Sequence, residues 1–445
     1  MNKTICAIST PLGQGAISIV RMSGRESLKI TQKLFYAKNL DFENITPRFL
    51  YLGYFLIDGN KEHCMMVYFK SPYSYTGEDI VEFQVHGGTI LTQKILSTLI
   101  ENGAVLAQPG EFTKRAFENG KISLDEAENI IGEITAESEG ELKASLNLAN
   151  DKLKQKIISL QNSLTESIAQ IEATLDYPEE DFEKSAKENI FENIKNIKNI
   201  IDEFIENSKN AKYINKGINI AIVGSPNVGK SSLLNALVGQ DRAIVTNIKG
   251  TTRDTLNESI FYQGIKLNFV DTAGIRESDD NVEKIGIEKS KKAIEDADVV
   301  LFVLDGSEKM NEEDRQIKSL LKDYKNSLTI VNKSDIARKL DLQEDEICVS
   351  ALKEDNINLI KEKIFNLVIN EKIDFNKTII TNERQLSILY ECQNIISSIL
   401  SSQNASMDIV AMLIKSLWNE LGKITGQCEN ESIIDLIFSK FCLGK

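Results

Sequence analysis

The stretch INIAIVGSPNVGKSSLLNALV, residues 218–238, decides the fold of the central part of the chain. Five of its first six residues are apolar, three of them isoleucines, and the run predicts a buried strand. GSPNVGKS (224–231) then matches the pattern G-x-x-x-x-G-K-[ST], and the apolar residues after it predict a helix. In such a loop backbone amides face phosphates, a lysine reaches the β- and γ-phosphates, and a serine hydroxyl can bind Mg²⁺. The stretch therefore predicts a nucleoside triphosphate site.

Motifs in the order expected of a guanine nucleotide site follow downstream. GTTRD (250–254) supplies a candidate switch threonine, and DTAG (271–274) follows a predicted strand. In NKSD (332–335), Asp335 can accept hydrogen bonds from both the guanine N1–H and the exocyclic amine, which adenine does not offer together. SAL (350–352) would frame the base. The candidate nucleotide-binding residues are Asn227, Val228, Gly229, Lys230, Ser231, Ser232, Thr246, Asn247, Ile248, Lys249, Gly250, Thr251, Thr252, Asp271, Thr272, Ala273, Gly274, Asn332, Lys333, Asp335, Ser350, Ala351 and Leu352, with Ser231 and Thr252 as Mg²⁺ ligands.

The residue after DTAG departs from the commonest GTPase mechanism. Many small GTPases place a water-orienting glutamine there, but this chain has Ile275, whose aliphatic side chain cannot orient water. Catalysis must then recruit another group. The candidates are Arg276, Glu283 and a bound cation.

Periodicity separates the chain into regions of different fold class. Residues 1–118 show α+β patterning, including alternation at DIVEFQVHGG (79–88) and a helix predicted over 87–103. Residues 119–215 and 376–445 are helical in pattern, and we expect the two blocks to pack together because neither apolar stripe can stay exposed. Residues 216–375 alternate strands and helices, which predicts a doubly wound sheet. The prediction is an α/β, Ras-like P-loop GTPase domain inserted into an all-α domain and preceded by an α+β domain.

Composition limits the remaining possibilities. The net charge of −14 argues against a nonspecific nucleic-acid coat, and 42% hydrophobic content with no long apolar run is typical of a globular cytosolic protein. No secretory signal is evident at the N-terminus. The six cysteines show no C-x-x-C spacing, so the first five are interpreted as reduced packing residues.

Several stretches resemble one family over the full length. They are TPLGQGAISIVRMSG (10–24), SYTGEDIVEFQVHGG (74–88), QPGEFTKRAFENGKISLDEAE (108–128), IGIE (285–288), GKITG (422–426) and IFSKFCLGK (437–445), besides the GTPase motifs. The chain resembles the MnmE (TrmE) family of tRNA uridine-modification GTPases. The resemblance implies an N-terminal tetrahydrofolate-binding and dimerisation domain, a helical domain in two halves, and an inserted GTPase domain. It also implies a homodimer that works with a flavin-dependent MnmG-type partner to add an aminomethyl or carboxymethylaminomethyl group to C5 of the tRNA wobble uridine.

The resemblance also assigns roles to residues outside the GTPase motifs. It implies folate contacts for Arg21, Glu82, Lys121 and Lys445. An arginine and a lysine suit the glutamyl carboxylate, whereas a carboxylate suits the amino–imino edge of the pteridine. Gln14 and Ala16 depart from the G-R-G-G run usual in the family, and the departure removes a positive charge and a glycine near the folate loop.

A potassium ion is the cation that the resemblance implies. Asn227 would bind K⁺, with Thr246, Ile248 and Thr251 offering further oxygens, when two GTPase domains meet face to face. Glu283 corresponds to the water-positioning acid proposed in the family. Cys442 has two interpretations, as a nucleophile toward the pyrimidine or as part of a tail that helps to close the folate pocket.

Two other functions stay open at this point. A ribosome-assembly or RNA-binding switch GTPase would carry a basic RNA-binding module beside the GTPase domain, and the sequence shows none. A folate-dependent one-carbon transferase with only regulatory GTP is harder to separate, because the family combines both activities.

Overall fold

A computed structural model describes residues 3–149, 152–176, 180–239, 257–271, 293–322, 324–340, 346–369, 373–442 and 444–445. The chain divides into two compact units. The first contains Met1–Ile134, Asp151–Ile201 and Ser387–Lys445, and the second contains Thr135–Asn150 and Asp202–Leu386. The second unit thus takes in more residues than the 216–375 segment. The exact division into four segments stays a prediction.

The N-terminal part of the first unit is a mixed sheet with helices. The strand order is β3-β4-β5-β6-β2-β1-β7. Val81, Phe83 and Val85 are buried whereas Glu82 and Gln84 are only partly covered, which confirms the predicted half-buried strand. The elements are β1 (Ile5–Ile8), β2 (Ile17–Ser23), α1 (Ser27–Leu34), β3 (Phe35–Tyr36), β4 (Leu50–Ile57), β5 (Asn60–Phe69), β6 (Ile80–His86), α2 (Thr89–Glu101), β7 (Val105–Leu106) and α3 (Glu111–Glu118).

Helices from both predicted helical blocks meet in the first unit. In chain order the helices of the two blocks are α4 (Leu124–Thr135), α5 (Glu139–Ala149), α6 (Lys152–Asp176), α7 (Glu180–Asn207), α8 (Ala211–Lys216), α12 (Glu383–Ser401), α13 (Met407–Thr425) and α14 (Glu431–Ser439), and of these α5 and α8 lie in the second unit. Helix α6 packs along α13, and Gln161 Nε2 donates to Trp418 O at 3.2 Å. The apolar stripe predicted along α6 is buried except at Ile168, which is partly buried, and at Leu175, which is 47% exposed; its members are Leu153, Ile157, Leu160, Leu164, Ile168, Ile171 and Leu175. The packing of the two blocks is therefore confirmed.

In the described part of the second unit, six strands form one sheet in the order β13 (Ile347–Cys348), β12 (Ser327–Asn332), β11 (Val299–Asp305), β8 (Ile218–Val223), β10 (Ile265–Asp271) and β9 (Asn257–Tyr262). All neighbouring strands are parallel except β9 and β10, which form an antiparallel hairpin. Buried cores on both faces, one around Phe269 and one around Phe302, confirm the doubly wound class. The elements are β8 (Ile218–Val223), α9 (Lys230–Val238), β9 (Asn257–Tyr262), β10 (Ile265–Asp271), β11 (Val299–Asp305), α10 (Glu312–Leu321), β12 (Ser327–Asn332), β13 (Ile347–Cys348) and α11 (Ile357–Val368). The sequence predictions missed the edge strand β9.

The segment before α6 packs on the β9–β10 hairpin within this second unit. Gly140 N donates to Gly264 O at 3.0 Å, and Lys266 Nζ lies 2.5 Å from Glu137 Oε2. A Cβ atom at Gly140 would lie 2.4 Å from Gly264 O, so only glycine permits this approach. Helix α5 therefore belongs with the nucleotide-site sheet although it precedes the predicted GTPase segment.

Two features expected from composition have clear outcomes. Cys6, Cys64 and Cys392 are buried, as expected for packing residues. Burial raises the pKa of the Cys6 and Cys64 thiols to about 12. Cys428 is exposed, so the packing interpretation was wrong for this residue. Among the helices in the described ranges, none has the length and apolar character that a membrane span requires.

Candidate functional site

The loop 224–229 connects β8 to α9 at the carboxyl end of the sheet. Gly229 has a left-handed φ of 95°, and a Cβ there would lie 2.3 Å from Asn332 Nδ2. At Gly224 a Cβ would lie 2.3 Å from Val303 O. Glycine is needed at both positions because larger residues would separate the loop from its neighbours. The loop thus brings the first amides of α9 to the position where a helix N-terminus binds phosphate.

Lys230 lies across this loop. Its Nζ atom donates to Gly224 O at 2.7 Å and to Ser225 O at 2.8 Å, so the ammonium group is held over the curled backbone. Ser231 and Ser232 follow in the first turn of α9, and both are exposed.

Asn332 joins the three predicted nucleotide motifs. Its Nδ2 atom donates to Val228 O at 2.9 Å in the phosphate loop, and its Oδ1 atom accepts from Ala351 N at 3.0 Å in the SAL motif. Asn332 is 2% exposed, so both hydrogen bonds are buried. One side chain therefore fixes the distance between the phosphate loop and the loop expected to frame the base.

Asp335 presents the carboxylate expected to read guanine. Ser350 Oγ donates to Asp335 Oδ1 at 2.6 Å. This hydrogen bond keeps the pKa of Asp335 below its usual value of 3.8, so the group is an ionised acceptor at neutral pH. Leu352, the last predicted residue of this motif, is exposed.

Asp305 is a site residue that the motif search did not identify. It ends β11 directly beside Asn332 of β12, and its Oδ2 atom lies 2.5 Å from Lys333 Nζ. Burial alone would raise the pKa of Asp305, but hydrogen bonds from Lys333 and Ser307 outweigh it and keep the pKa below its usual value. Lys333 Nζ also donates to Asn227 O at 3.1 Å. The sequence signal that could have identified Asp305 is its position as an aspartate at the carboxyl end of a predicted parallel strand.

A second link ties the phosphate loop to α10. Ser225 Oγ donates to Asp314 Oδ1 at 2.6 Å and to Asn311 Oδ1 at 3.2 Å. Asn311 and Asp314 already form a capping box at the start of α10. A cavity of about 200 Å³ lies between this capping box and the loop, next to Asp305 and Lys333.

Part of the predicted site lies outside the described residues. Asp271 ends β10 beside Ile222 of β8, so the backbone of the DTAG motif begins next to the strand that leads into the phosphate loop. The predicted residues outside the described ranges are Thr246, Asn247, Ile248, Lys249, Gly250, Thr251, Thr252, Thr272, Ala273, Gly274, Ile275, Arg276 and Glu283.

A second cluster of predicted residues lies on the N-terminal sheet. Arg21 of β2 and Glu82 of β6 are cross-strand partners, and Arg21 Nε lies 2.7 Å from Glu82 Oε1. The Arg21 guanidinium carbon lies 5.9 Å from the ring centre of Tyr75 and 5.7 Å from that of Phe112. The pair therefore forms one charged edge between two aromatic rings.

This geometry places two of the predicted folate contacts side by side. The glutamyl carboxylate and the pteridine lie at opposite ends of a folate molecule. Arg21 and Glu82 contact each other directly, so we expect them to bind the same end of the ligand, and the folate contacts stay a prediction. Lys121 lies apart from the pair, and its Nζ atom donates to Pro72 O at 2.9 Å.

The C-terminal tail meets the same sheet. Ser9 Oγ donates to Gly444 O at 3.1 Å. Gly444 has a φ of 95°, and a Cβ there would lie 2.2 Å from Ile8 O. The tail is thus seated at the end of β1, which pairs with the strand that carries Arg21. Cys442 is exposed, and Lys445 is partly buried.

Comparisons with known proteins agree over almost the whole chain. Residues 124–442 match the model of the MnmE helical domain, and residues 4–121 match that of the GTP-binding protein TrmE N-terminus. The tRNA modification GTPase MnmE of Lactococcus lactis subsp. lactis (strain IL1403) is 39% identical over 450 residues, covering 99% of this chain and 98% of that protein. The chain belongs to the MnmE family of tRNA modification GTPases. The tRNA modification GTPase MnmE of Ligilactobacillus salivarius (strain UCC118) is 39% identical over 457 residues, covering 99% of this chain and 98% of that protein. The MnmE protein of Natranaerobius thermophilus is 39% identical over 456 residues, covering 99% of both chains.

The nucleotide site of this MnmE-family chain agrees with that membership. The chain is a GTP-hydrolysing enzyme of the P-loop class. Its phosphate loop, its guanine-reading motif and its SAL motif are joined by buried hydrogen bonds through Asn332. The family resemblance found in the sequence is therefore confirmed.

Proposed function

We propose that this protein is the GTP-hydrolysing component of the complex that modifies C5 of the tRNA wobble uridine. The observation that carries the proposal is the joining of the phosphate, guanine and SAL motifs by Asn332 in a chain whose full length matches tRNA modification GTPases. GTP hydrolysis would drive a conformational cycle, and the N-terminal unit would hold the one-carbon donor. The product is an aminomethyl or carboxymethylaminomethyl group on the uridine.

The residues present fit GTP with Mg²⁺. Lys230 has its ammonium group within the phosphate loop, and the exposed Ser231 lies in the first turn of α9, where a hydroxyl can bind the ion. Thr252 would complete the ion's ligands. Bound Mg²⁺ would neutralise charge that develops on the phosphates. Asp335 would select guanine over adenine through its ionised carboxylate.

The loop also fits a potassium ion at Asn227. This residue has a left-handed φ of 63° and is exposed, and its carbonyl is already engaged by Lys333. Because the residue is exposed, we take its side-chain oxygen as a K⁺ ligand, and Thr246, Ile248 and Thr251 would supply further oxygens. A K⁺ ion there would stabilise transition-state charge when two GTPase domains meet. Glu283 and Arg276 remain the candidates for handling the attacking water.

The charged edge formed by Arg21 and Glu82 fits the pteridine ring of a 5,10-methylene or 5-formyl tetrahydrofolate. In the described part of the chain, the hydrogen bond between Arg21 and Glu82 uses one nitrogen and one oxygen of the pair. The remaining guanidinium nitrogens and the second carboxylate oxygen would then bind the carbonyl and amino groups of a pterin edge. Lys121 and Lys445 are the candidates for the glutamyl carboxylate. The seated tail favours a pocket-closing role for the residues around Cys442.

The remaining partners follow from the family. Homodimerisation is supported by apolar side chains left open on the N-terminal sheet, such as Leu52 at 73% and Ile17 at 58% exposure. An MnmG-type flavoprotein and tRNA would complete a cytosolic complex.

The first experiment measures GTP hydrolysis by the full chain in KCl and in NaCl at equal ionic strength. The variant is Asn227→Gly, because glycine keeps the left-handed backbone that alanine would strain. Strong stimulation by K⁺ that is lost in the variant supports the cation mechanism. The control is Asn268→Ala, which removes an asparagine of the same sheet at β10, away from the phosphate loop.

A second experiment separates tRNA modification from the RNA-switch alternative. The chain is incubated with its MnmG-type partner, tRNA, GTP, 5,10-methylenetetrahydrofolate and glycine, and the tRNA nucleosides are analysed by mass spectrometry. The proposal is supported if the wobble uridine is modified by the wild-type chain and is left unmodified when Lys230 is replaced. An unmodified tRNA together with GTP-dependent binding to ribosomal subunits would favour the alternative.

A further inference from the structure

Arg115 is a buried arginine in α3 that neither the GTPase motifs nor the folate contacts include. The residue is 5% exposed. Its Nη1 atom donates to Glu78 Oε2 at 2.9 Å, and its Nη2 atom donates to Glu111 Oε1 at 2.7 Å and to Lys3 O at 2.9 Å. Buried ion pairs are costly to break because the remaining charge has no water to solvate it. The Arg115 guanidinium therefore connects α3 to the backbone at Lys3, just before β1, and to Glu78 in the loop before β6.

Glu78 also connects these contacts of Arg115 to β2. Ser23 Oγ donates to Glu78 Oε2 at 2.8 Å and lies 2.8 Å from Thr76 Oγ1. Ser23 and Thr76 are both fully buried. Ser23 stands two residues after Arg21 on the same strand, so its side chain lies on the same face of the sheet. The loop 70–79 is thus bonded to the strand that carries Arg21.

The elements joined by Arg115 are the ones that enclose Arg21. Tyr75 comes from the loop, Phe112 comes from α3, and the Arg21 guanidinium lies near both rings. Tyr75 Oη and Thr113 Oγ1, from the same two elements, are 2.9 Å apart. The space available to the Arg21 guanidinium therefore depends on the separation of loop and helix. Arg115 links the same loop and helix through its hydrogen bond to Glu78.

We propose that Arg115 is a positioning residue for the Arg21–Glu82 site. By joining Glu78 of the loop to Glu111 of α3, it fixes the distance between the two aromatic rings and so the orientation of the Arg21 guanidinium toward a bound pterin. Only the planar guanidinium fork bonds both carboxylates and the backbone carbonyl together, whereas a lysine would keep part of this set. The inference rests on the proposed one-carbon site, and Arg115 itself does not contact the ligand.

The test compares Arg115→Met, Arg115→Lys and a matched control in the full-length protein. The control is Lys114→Met, since Lys114 is the neighbour of Arg115 on α3 but pairs with Asp435, outside this network. Binding of 5-formyltetrahydrofolate is measured by titration calorimetry. We expect Arg115→Met to weaken binding by about tenfold or more, Arg115→Lys to restore part of the loss, and Lys114→Met to leave binding unchanged.

Hydrogen exchange supplies a readout that does not need the ligand. We expect faster amide exchange over residues 70–79 in Arg115→Met, with unchanged exchange in the β4–β5 hairpin and unchanged GTP hydrolysis. If the wild-type chain does not bind the folate, the one-carbon site is wrong, and the exchange data still decide whether Arg115 positions the loop. Unchanged exchange and unchanged binding in a folded Arg115→Met protein would overturn the inference. If that variant does not fold, Arg115→Lys decides by the same two measurements.

Discussion

Asn332 offers the sharpest test of how the nucleotide site is assembled. Its side chain donates to Val228 O at 2.9 Å and accepts from Ala351 N at 3.0 Å, and both bonds are buried. Replacing Asn332 by alanine removes both bonds and leaves a carbonyl and an amide without partners. Each unsatisfied buried group costs about 1–3 kcal/mol. For the two groups together we therefore expect the loss of about 2–6 kcal/mol of nucleotide binding energy, or a Kd about 30- to 25,000-fold higher.

Asn332→Asp refines the prediction because aspartate has nearly the same shape. It keeps an oxygen that can accept from Ala351 N but replaces the donor facing Val228 O by a second oxygen. Two acceptors then face each other in a buried position, so we expect binding at least as weak as in Asn332→Ala.

The assay is titration of the full-length variants with a fluorescent GDP analogue in Mg²⁺ buffer. Asn268→Ala is the matched control, because Asn268 Nδ2 donates to Lys216 O at 2.9 Å and to Asn219 Oδ1 at 3.2 Å at the opposite end of β8. Its affinity should stay at the wild-type value. An Asn332→Ala affinity within about threefold of wild type, or tighter binding by Asn332→Asp than by Asn332→Ala, would refute the reasoning.

Other predictions concern packing, the tail and pH. Gly140→Val should lower the melting temperature of the nucleotide unit, because a Cβ there would lie 2.4 Å from a backbone oxygen of the β9–β10 hairpin; an unchanged calorimetric transition would contradict this. Gly444→Ala should weaken tetrahydrofolate binding by displacing the tail, whereas Cys442→Ser should bind normally; the reverse order in calorimetric titrations would favour a direct role for the thiol. The folded-state pKa of Asp305 lies below its usual 3.8, so its stabilising ion pair is complete above that value and is lost as pH falls through the folded-state pKa. Thermal melts should therefore show Asp305→Asn less stable than wild type near neutral pH and the difference shrinking below pH 3.8; a constant difference would contradict the ion pair.

Local sequence patterns predicted most of the fold because they report burial directly. The alternation of Val81, Phe83 and Val85 matched β6, and the stripe of α7 from Ile190 to Phe204 is buried as expected. The edge strand β9 was missed because an edge strand has polar residues on its open side and a weaker alternation. The exposure of Leu175 was missed because the end of an amphipathic helix loses its neighbours without any change in periodicity.

The sequence by itself determined the chemistry of the nucleotide site, since a phosphate loop needs particular glycines, a lysine and a hydroxyl at fixed spacing along one chain segment. It could not determine pairs formed between distant segments. Only the tertiary structure showed that Asp305 pairs with Lys333 and Arg21 with Glu82, and that Gly444 packs closely against the Ile8 carbonyl. These contacts depend on strand register and on close backbone approach, and both are set by the packing of the whole sheet rather than by the residues nearby in sequence.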